Sequence, residues 1–168
     1  MTSIEPPASN PTLTGLAPVI TPSIRILILG SFPGETSLAA MQYYAHPRNQ
    51  FWRLMSAVLG ENLADIPYPL RLQRLLAHNI GLWDAIDACE RKGSLDSAIR
   101  NARPTEFAFL KQQCPLLKKV CFNGKTSGRF AHRFINAGYD TLILPSSSPA
   151  HASLSFDEKL AAWRHVVE

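Results

Sequence analysis

The chain has few cysteines, and their arrangement excludes the sites that thiols usually build. Three are present among 168 residues, Cys89, Cys114 and Cys121, and no two of them form a CxxC pair. An odd count argues against a disulfide framework, and three thiols cannot hold a four-thiolate iron–sulfur cluster. The five histidines form neither HExxH nor HxxxH, so no metal site is predicted. We therefore predict reduced thiols in a cytoplasmic protein without a bound metal.

Long apolar runs are also absent from the sequence. No segment approaches the roughly 20 apolar residues that a helix needs to cross a bilayer. The beginning of the chain has neither the basic start nor the apolar core of a signal peptide. We therefore expect neither a membrane span nor export.

Several common nucleotide-binding and catalytic motifs are incomplete or missing. Gly124, Lys125 and Thr126 resemble the end of a P-loop, but the position five residues before Gly124 is Lys119 rather than glycine. The glycines of 30–34 have GxxxG spacing, which is not the GxGxxG dinucleotide fingerprint. No GxSxG nucleophile elbow and no close pair of carboxylates is found. These absences exclude a nucleoside triphosphatase, a dinucleotide-dependent enzyme, a serine hydrolase and a conventional glycosidase.

The sequence does contain a regular alternation of predicted strands and helices. Short apolar runs predict strands over 25–29, 80–86, 118–122 and 141–144. Apolar periodicity predicts helices over 37–44, 49–59, 70–78, 94–101, 106–113, 127–137 and 155–167. This alternation predicts an α/β fold with a parallel sheet and helices on both faces.

The first residues differ from the rest of the chain in composition. Five prolines fall within 1–23, which predicts an extended or flexible N-terminal arm. The remaining residues, 24–168, have the length and hydrophobic content of one domain with one core.

Three of the predicted strands run into small, polar loops. These loops cover 30–34, 123–127 and 145–149, and they are rich in hydroxyl and amide side chains. Ligands in open α/β sheets bind outside the carboxyl ends of the strands, so the loops are expected to enclose one site. Their amides, hydroxyls and phenylalanine suit a flat, neutral heterocycle. The net charge of +4 permits a nucleic acid partner without requiring one.

Five stretches resemble the uracil-DNA glycosylase superfamily. They are GSFPG (30–34), YYAHPRNQFW (43–52), GSLDSAIRNARPTEF (93–107), FNGKTSG (122–128) and LPSSSPAHAS (144–153). HPRNQFW and the GSLDS stretch resemble its hypoxanthine-DNA glycosylase branch. The resemblance implies a three-layer α/β/α sandwich around a four-stranded parallel sheet. It also implies a monomeric base excision repair enzyme that cuts the N-glycosidic bond of a flipped deaminated base in DNA, without a metal or cofactor.

The resemblance also implies where the catalytic residue lies. The uracil-specific pattern has an aspartate in the loop after the first strand, and here the nearest acid is Glu35. The hypoxanthine branch instead implies Asn49, whose carbonyl oxygen would orient a water towards the sugar. Without the resemblance, an asparagine at this place would be interpreted as a helix N-cap, and both roles can coexist. Assistance by Glu35 or His46 stays open.

Five residues are assigned to the base itself. Asn123 presents an acceptor beside a donor, which matches the edge of hypoxanthine and equally that of uracil. Phe51 or Phe32 is expected to stack on the base, although Phe51 also lies in the apolar stripe of its helix and fits the core equally well. Gly30 and Ser31 are expected to line the pocket.

Six further residues are assigned to the DNA. Phosphate contacts and the wedge that replaces the flipped base are assigned to Ser146, Ser147, Ser148, Ala150, His151 and Lys125. The alternatives are an ordinary surface loop for the serines and a solvated helix face for Lys125.

Two other functions remain open on sequence grounds. The same fold could serve a uracil or thymine-mismatch glycosylase, because Asn123 would read either base. A non-catalytic DNA-binding module is the alternative from a different class, favoured by the missing aspartate after the first strand.

Overall fold

A computed structural model describes residues 11–168, and residues 1–10 lie outside the described part. The strands are β1 (Leu13–Thr14), β2 (Ile26–Gly30), β3 (Ile80–Asp84), β4 (Ile86–Glu90), β5 (Arg100–Pro104), β6 (Lys119–Asn123) and β7 (Asp140–Leu144). The helices are α1 (Glu35–Ala40), α2 (Phe51–Leu59), α3 (Tyr68–Ala77), α4 (Leu110–Gln113), α5 (Lys125–Gly128), α6 (Ala131–Asn136) and α7 (Phe156–Trp163). Short 3-10 helices cover Asp96–Ala98 and Arg164–Val167.

Four of the strands form a parallel sheet in the order β3-β2-β6-β7. Successive side chains of β2 point to opposite faces, as the pleat requires. Ile28 packs in one apolar cluster with α2, α3 and α7, whereas Leu27 and Leu29 pack in another with α4 and α6. The predicted α/β/α sandwich and its four-stranded parallel sheet are therefore confirmed.

A second, smaller sheet lies beside the first and was not predicted. It is antiparallel, in the order β1-β4-β5. The single strand predicted over 80–86 is two strands, because the chain leaves the parallel sheet at Ala85. The helix predicted over 94–101 is wrong: a 3-10 turn, Asp96–Ala98, leads there into β5. Every residue of β5 is exposed, so it carries no apolar alternation that would have identified it.

The other predicted helices are present with shifted ends. The helix predicted over 106–113 is reduced to α4, and that over 127–137 is divided into α5 and α6. The last helix begins after Ser155, whose side chain forms a capping box with Glu158. The first helix ends early because Met41 takes a left-handed conformation, with φ of 53°.

The segment predicted as an N-terminal arm contributes to the fold in its described part. Leu13 and Thr14 pair with β4, and Val19 forms an isolated bridge with Leu82. The side chain of Leu16 is buried in the cluster around α2. Residues before the predicted boundary at 24 therefore pack against the domain, while 1–10 lie outside the described residues.

The register of the parallel sheet brings chemistry-bearing residues to one edge. Gly30 pairs with Asp84 at the carboxyl ends of β2 and β3, and Asn123 pairs with Leu144 at those of β6 and β7. The loops that continue from these strands therefore start side by side. None of the helices in residues 11–168 combines the length and the hydropathy that crossing a bilayer requires.

Candidate active site

A cleft of about 700 Å³ opens at the carboxyl edge of the parallel sheet. The three loops singled out in the sequence all line it, together with the segment before α2 and the turn before β5. Asn49 and Asn123 both face this cleft. The convergence follows from the parallel sheet, in which every strand ends at the same edge.

Asn123 is held by the loop that follows β7, residues 145–149, which we call the serine loop. Its Oδ1 accepts a hydrogen bond from the backbone N–H of Ser147 (2.9 Å), and its Nδ2 donates to the Ser147 hydroxyl (2.8 Å). Gly124 has φ of 102° and lies against Ser146, so the chain can turn sharply away from the amide. An asparagine side chain has two acceptor lone pairs and two N–H donors. One of each therefore remains for a ligand in the cleft.

Only two of the three serine hydroxyls in the serine loop are free to contact DNA. Ser147 is buried and its hydroxyl serves Asn123, which corrects its assignment as a phosphate contact. Ser146 and Ser148 are half-buried, and each accepts a bond from a backbone N–H two residues ahead. They line the cleft and can still donate their hydroxyl protons outward.

Asn49 lies one residue before the N-cap of α2. Its Oδ1 accepts from the backbone N–H of Phe51 (3.0 Å), and its own N–H donates to the carbonyl of His46 (2.9 Å). His46 also lines the cleft. Asn49 is therefore not the N-cap, but its side chain accepts a hydrogen bond at the start of the helix and still lines the cleft, since a carbonyl oxygen has a second lone pair.

The two asparagine-bearing segments are joined through Gln50. Its backbone N–H donates to the carbonyl of Ser147 (3.0 Å), and its Oε1 accepts from the ammonium of Lys159 on α7 (3.0 Å). Lys159 is buried, and burial lowers its pKa. The helix that packs behind the cleft therefore fixes the segment of Asn49 against the loop that holds Asn123.

Tyr44 is an aromatic residue of the cleft that the sequence did not predict. Its ring stacks on that of Phe51 at a centroid distance of 3.9 Å, and Phe51 itself is fully buried. Of the two roles left open for Phe51, the structure shows the core position, so Phe51 is not placed to stack on a base. Phe32 does line the cleft, with the Arg91 guanidinium 5.3 Å from its ring centroid.

Asp84 is the second residue missed by the sequence analysis. It lines the cleft at the end of β3, with its side chain only 5% exposed. A Cβ at Gly30 would lie 2.5 Å from its Oδ1 and 3.2 Å from the Tyr44 hydroxyl, so only glycine fits between them. Burial, followed by the charge of Asp96, raises the pKa of Asp84 to about 7. An acidic residue directly after a buried apolar strand is the signal that could have identified it.

A clamp of hydrogen bonds fixes one rim of the cleft. Arg91 donates to the carbonyls of Pro33 (2.7 Å) and Gly93 (2.8 Å). Glu35 accepts from the N–H of Gly93 (3.2 Å), and its own N–H donates to Ser94 Oγ (2.9 Å). The hydrogen bonds of Glu35 therefore hold this rim in place.

The remaining predicted residues lie along the edge of the cleft. Ser31 lines it and donates from its hydroxyl to Asp96 Oδ1 (2.7 Å). Lys125 and Ala150 are exposed at its mouth, and His151 is half-buried there. Leu95, which no prediction included, lines the mouth opposite with 55% of its surface exposed.

Comparison with known proteins gives a consistent set of relatives. A family model described as the uracil DNA glycosylase superfamily matches residues 17–167. A protein of Methanosarcina barkeri (strain Fusaro / DSM 804) named hypoxanthine DNA glycosylase is 44% identical over 149 residues, which is 89% of this chain and 94% of that protein. One of the same name from Methanosarcina acetivorans is 40% identical over 152 residues, covering 90% of this chain and 96% of that one.

A solved structure is similar in fold as well as in sequence. It is the solution NMR structure of a proposed uracil DNA glycosylase from Methanosarcina acetivorans. The TM-score is 0.83 at 39% sequence identity, and the match covers 94% of this chain and 99% of that one.

Proposed function

The chain belongs to the uracil DNA glycosylase superfamily, and we propose that it removes hypoxanthine from DNA by hydrolysing the N-glycosidic bond of a flipped deoxyinosine. One observation carries the proposal: Asn49 and Asn123 line one cleft in a chain 44% identical to a protein named hypoxanthine DNA glycosylase. A base inside a duplex cannot reach such a cleft, so the nucleotide is first extruded, at a cost of a few kcal/mol.

Asn123 reads the base in this proposal. Its remaining N–H donates to the carbonyl oxygen O6 of hypoxanthine, and its remaining lone pair accepts the N1 proton. The two bonds to Ser147 fix the plane of the amide before the base arrives. Hydrogen bonds to the departing base strengthen as negative charge develops on it, and this lowers the barrier.

Asn49 orients the attacking water. Its Oδ1 has one lone pair on the Phe51 N–H and a second available to a water proton. An amide does not take up a proton at neutral pH, so Asn49 positions the water and is not a general base. We therefore expect a slow enzyme whose rate depends chiefly on stabilising the leaving base.

The rim of the cleft contacts the DNA. Lys125 together with the hydroxyls of Ser146 and Ser148 suits phosphate oxygens, which side chains of this kind bind without reading sequence. Ala150 and His151 on one side, and Leu95 on the other, are exposed where a side chain can fill the space left by the extruded base. We expect the enzyme to act as a monomer, in the cytoplasm, without a metal or cofactor.

The test is an oligonucleotide panel with one altered base in each duplex. Deoxyinosine, deoxyuridine, a mismatched thymine and an unaltered guanine are placed at the same position and read by alkaline cleavage. We expect cleavage chiefly at deoxyinosine, unchanged by EDTA. Preferential cleavage at uracil or at the mismatch would assign a different substrate to the same fold. Saturable binding without cleavage of any duplex would mean a non-catalytic module.

Tyr44 is expected to provide the surface on which the flipped base stacks. Base–aromatic stacking contributes about 1–3 kcal/mol, so Tyr44→Leu should weaken binding of deoxyinosine DNA by roughly 5- to 150-fold. Tyr44→Phe keeps the ring and removes only the hydroxyl, so its affinity should stay close to that of wild type. Fluorescence anisotropy at constant salt measures both, and equal loss in the two variants would contradict the stacking role.

A further inference from the structure

The carboxyl group of Asp84 has no task in the mechanism described so far. It lies on the floor of the cleft at the end of β3, almost completely buried. Its Oδ2 has no hydrogen-bond partner within residues 11–168. Leaving a buried carboxylate oxygen unpaired costs free energy, so a group of this kind at a ligand site calls for a functional explanation.

Asp84 and Asn123 are placed so that they can contact two neighbouring edges of one bound purine. β3 and β6 flank β2, and adjacent strands lie about 4.8 Å apart. Gly30, between them, has no side chain, and Asp84 Oδ1 lies 2.5 Å from the point where its Cβ would be. The carboxyl therefore leans over β2 towards the side of Asn123. In hypoxanthine, N7 lies next to O6. When O6 and N1 pair with Asn123, N7 is therefore displaced from the amide by about one strand spacing.

We propose that Asp84, in its protonated form, is a catalytic acid that gives its proton to N7 of the departing hypoxanthine. This inference rests on the proposed function and adds a residue to it. The C1′–N9 bond breaks and its electron pair passes into the imidazole ring, while the O–H bond of Asp84 breaks and its proton bonds to N7. The base leaves as neutral hypoxanthine. The oxygen of water bonds to C1′, its surplus proton goes to solvent, and Asp84 regains a proton from solvent.

The surroundings of Asp84 keep its proton available near neutral pH. Burial and the nearby charge of Asp96 raise its pKa to about 7. The other ionisable groups that face it are the phenols of Tyr43 and Tyr44, and burial raises the pKa of both, so they stay neutral throughout the working range. Above pH 7 the acid form becomes scarce, and the rate should fall.

The same contact separates hypoxanthine from uracil. Asn123 alone pairs equally well with both bases, because both present a carbonyl beside an N–H. Uracil has no imidazole ring and therefore no N7 to receive a proton from Asp84. The acid thus favours the purine at the chemical step.

The experiment compares wild type with Asp84→Asn, which keeps the shape of the side chain but has no acidic proton. Single-turnover excision of hypoxanthine is measured from pH 5.5 to 9. General acid catalysis contributes about 10²- to 10⁴-fold, so the variant should be at least 100-fold slower at pH 6. The wild-type rate should fall about tenfold per pH unit well above 7, and the rate of the variant should not depend on pH in this way. Binding of DNA with 7-deaza-deoxyinosine, which lacks N7, should be the same for both proteins.

A second variant acts on the acid without replacing it. Asp96→Asn removes the charge beside Asp84 and keeps an oxygen that accepts from Ser31. It should lower the pKa of Asp84 and move the fall in rate to lower pH. An unshifted profile in Asp96→Asn, or an Asp84→Asn protein with wild-type rate and pH profile, would overturn the proposal. A loss of rate matched by an equal loss of binding would assign Asp84 a structural role. If wild type releases no hypoxanthine at any pH, the proposed function itself fails.

Discussion

Replacing Asn49 with alanine is expected to lower the single-turnover rate of hypoxanthine release by at least about 100-fold, with the fold intact. The variant loses the oxygen that positions the attacking water, and the neighbouring amide, that of Gln50, is bound to Lys159 and does not line the cleft. The measurement is abasic-site formation with enzyme in excess over a deoxyinosine duplex, followed by alkaline cleavage.

The matched control for this variant is Asn49→Ser. The Asn49 side chain also accepts from the Phe51 N–H, and losing this hydrogen bond costs about 1 kcal/mol of stability. Serine can accept the same bond, so its melting temperature should stay near that of wild type while its rate falls as far as that of Asn49→Ala. A serine variant with wild-type activity would show that Asn49 acts only through its hydrogen bond at the start of α2.

Replacing Asn123 with alanine is expected to have the larger effect, about 1000-fold or more on the same rate. The amide both recognises the base and stabilises it as it leaves. Removing one donor that stabilises developing charge costs about 10²- to 10³-fold, and the loss of base recognition adds to this. The N–H and hydroxyl of Ser147 would also lose their partner, with a destabilisation of about 1–3 kcal/mol. Denaturant unfolding measures this second effect separately from the rate.

Ser147→Ala distinguishes reading of the base from support of the loop. It removes the hydroxyl that accepts from Asn123 Nδ2 but keeps the backbone N–H that donates to Oδ1. We expect a stability loss of about 1 kcal/mol and a rate within about tenfold of wild type. If Ser147→Ala were as inactive as Asn123→Ala, the amide would act through the loop rather than on the base.

The sequence was informative where burial imposes a pattern. Buried strands such as β2 and β6 appear as short apolar runs, and their order along the chain predicts a parallel sheet with its loops at one edge. That is why Asn123 could be located from the end of its strand. β5 lies on the surface with no buried residue, so no pattern marked it as a strand.

The residues that were missed depend on backbone geometry that composition does not encode. Tyr44 turns into the cleft because its backbone is left-handed, with φ of 57°. The helix predicted over 37–44 would have given it a right-handed backbone instead. Asp84 reaches the cleft because register pairs it with Gly30. Phe51 was ambiguous because it is the first residue of the apolar stripe of α2 and lies beside the cleft. In the structure the ring of Tyr44 stacks on Phe51 and separates it from the cleft.

The narrow gap between Gly30 and Asp84 constrains how this lineage can diversify. A Cβ at position 30 would lie 2.5 Å from the Asp84 carboxyl oxygen and 3.2 Å from the Tyr44 hydroxyl, so a side chain there requires both neighbours to shift. Substitutions at positions 30, 44 and 84 are therefore expected to be epistatic. Directed evolution towards other bases should vary these three positions together.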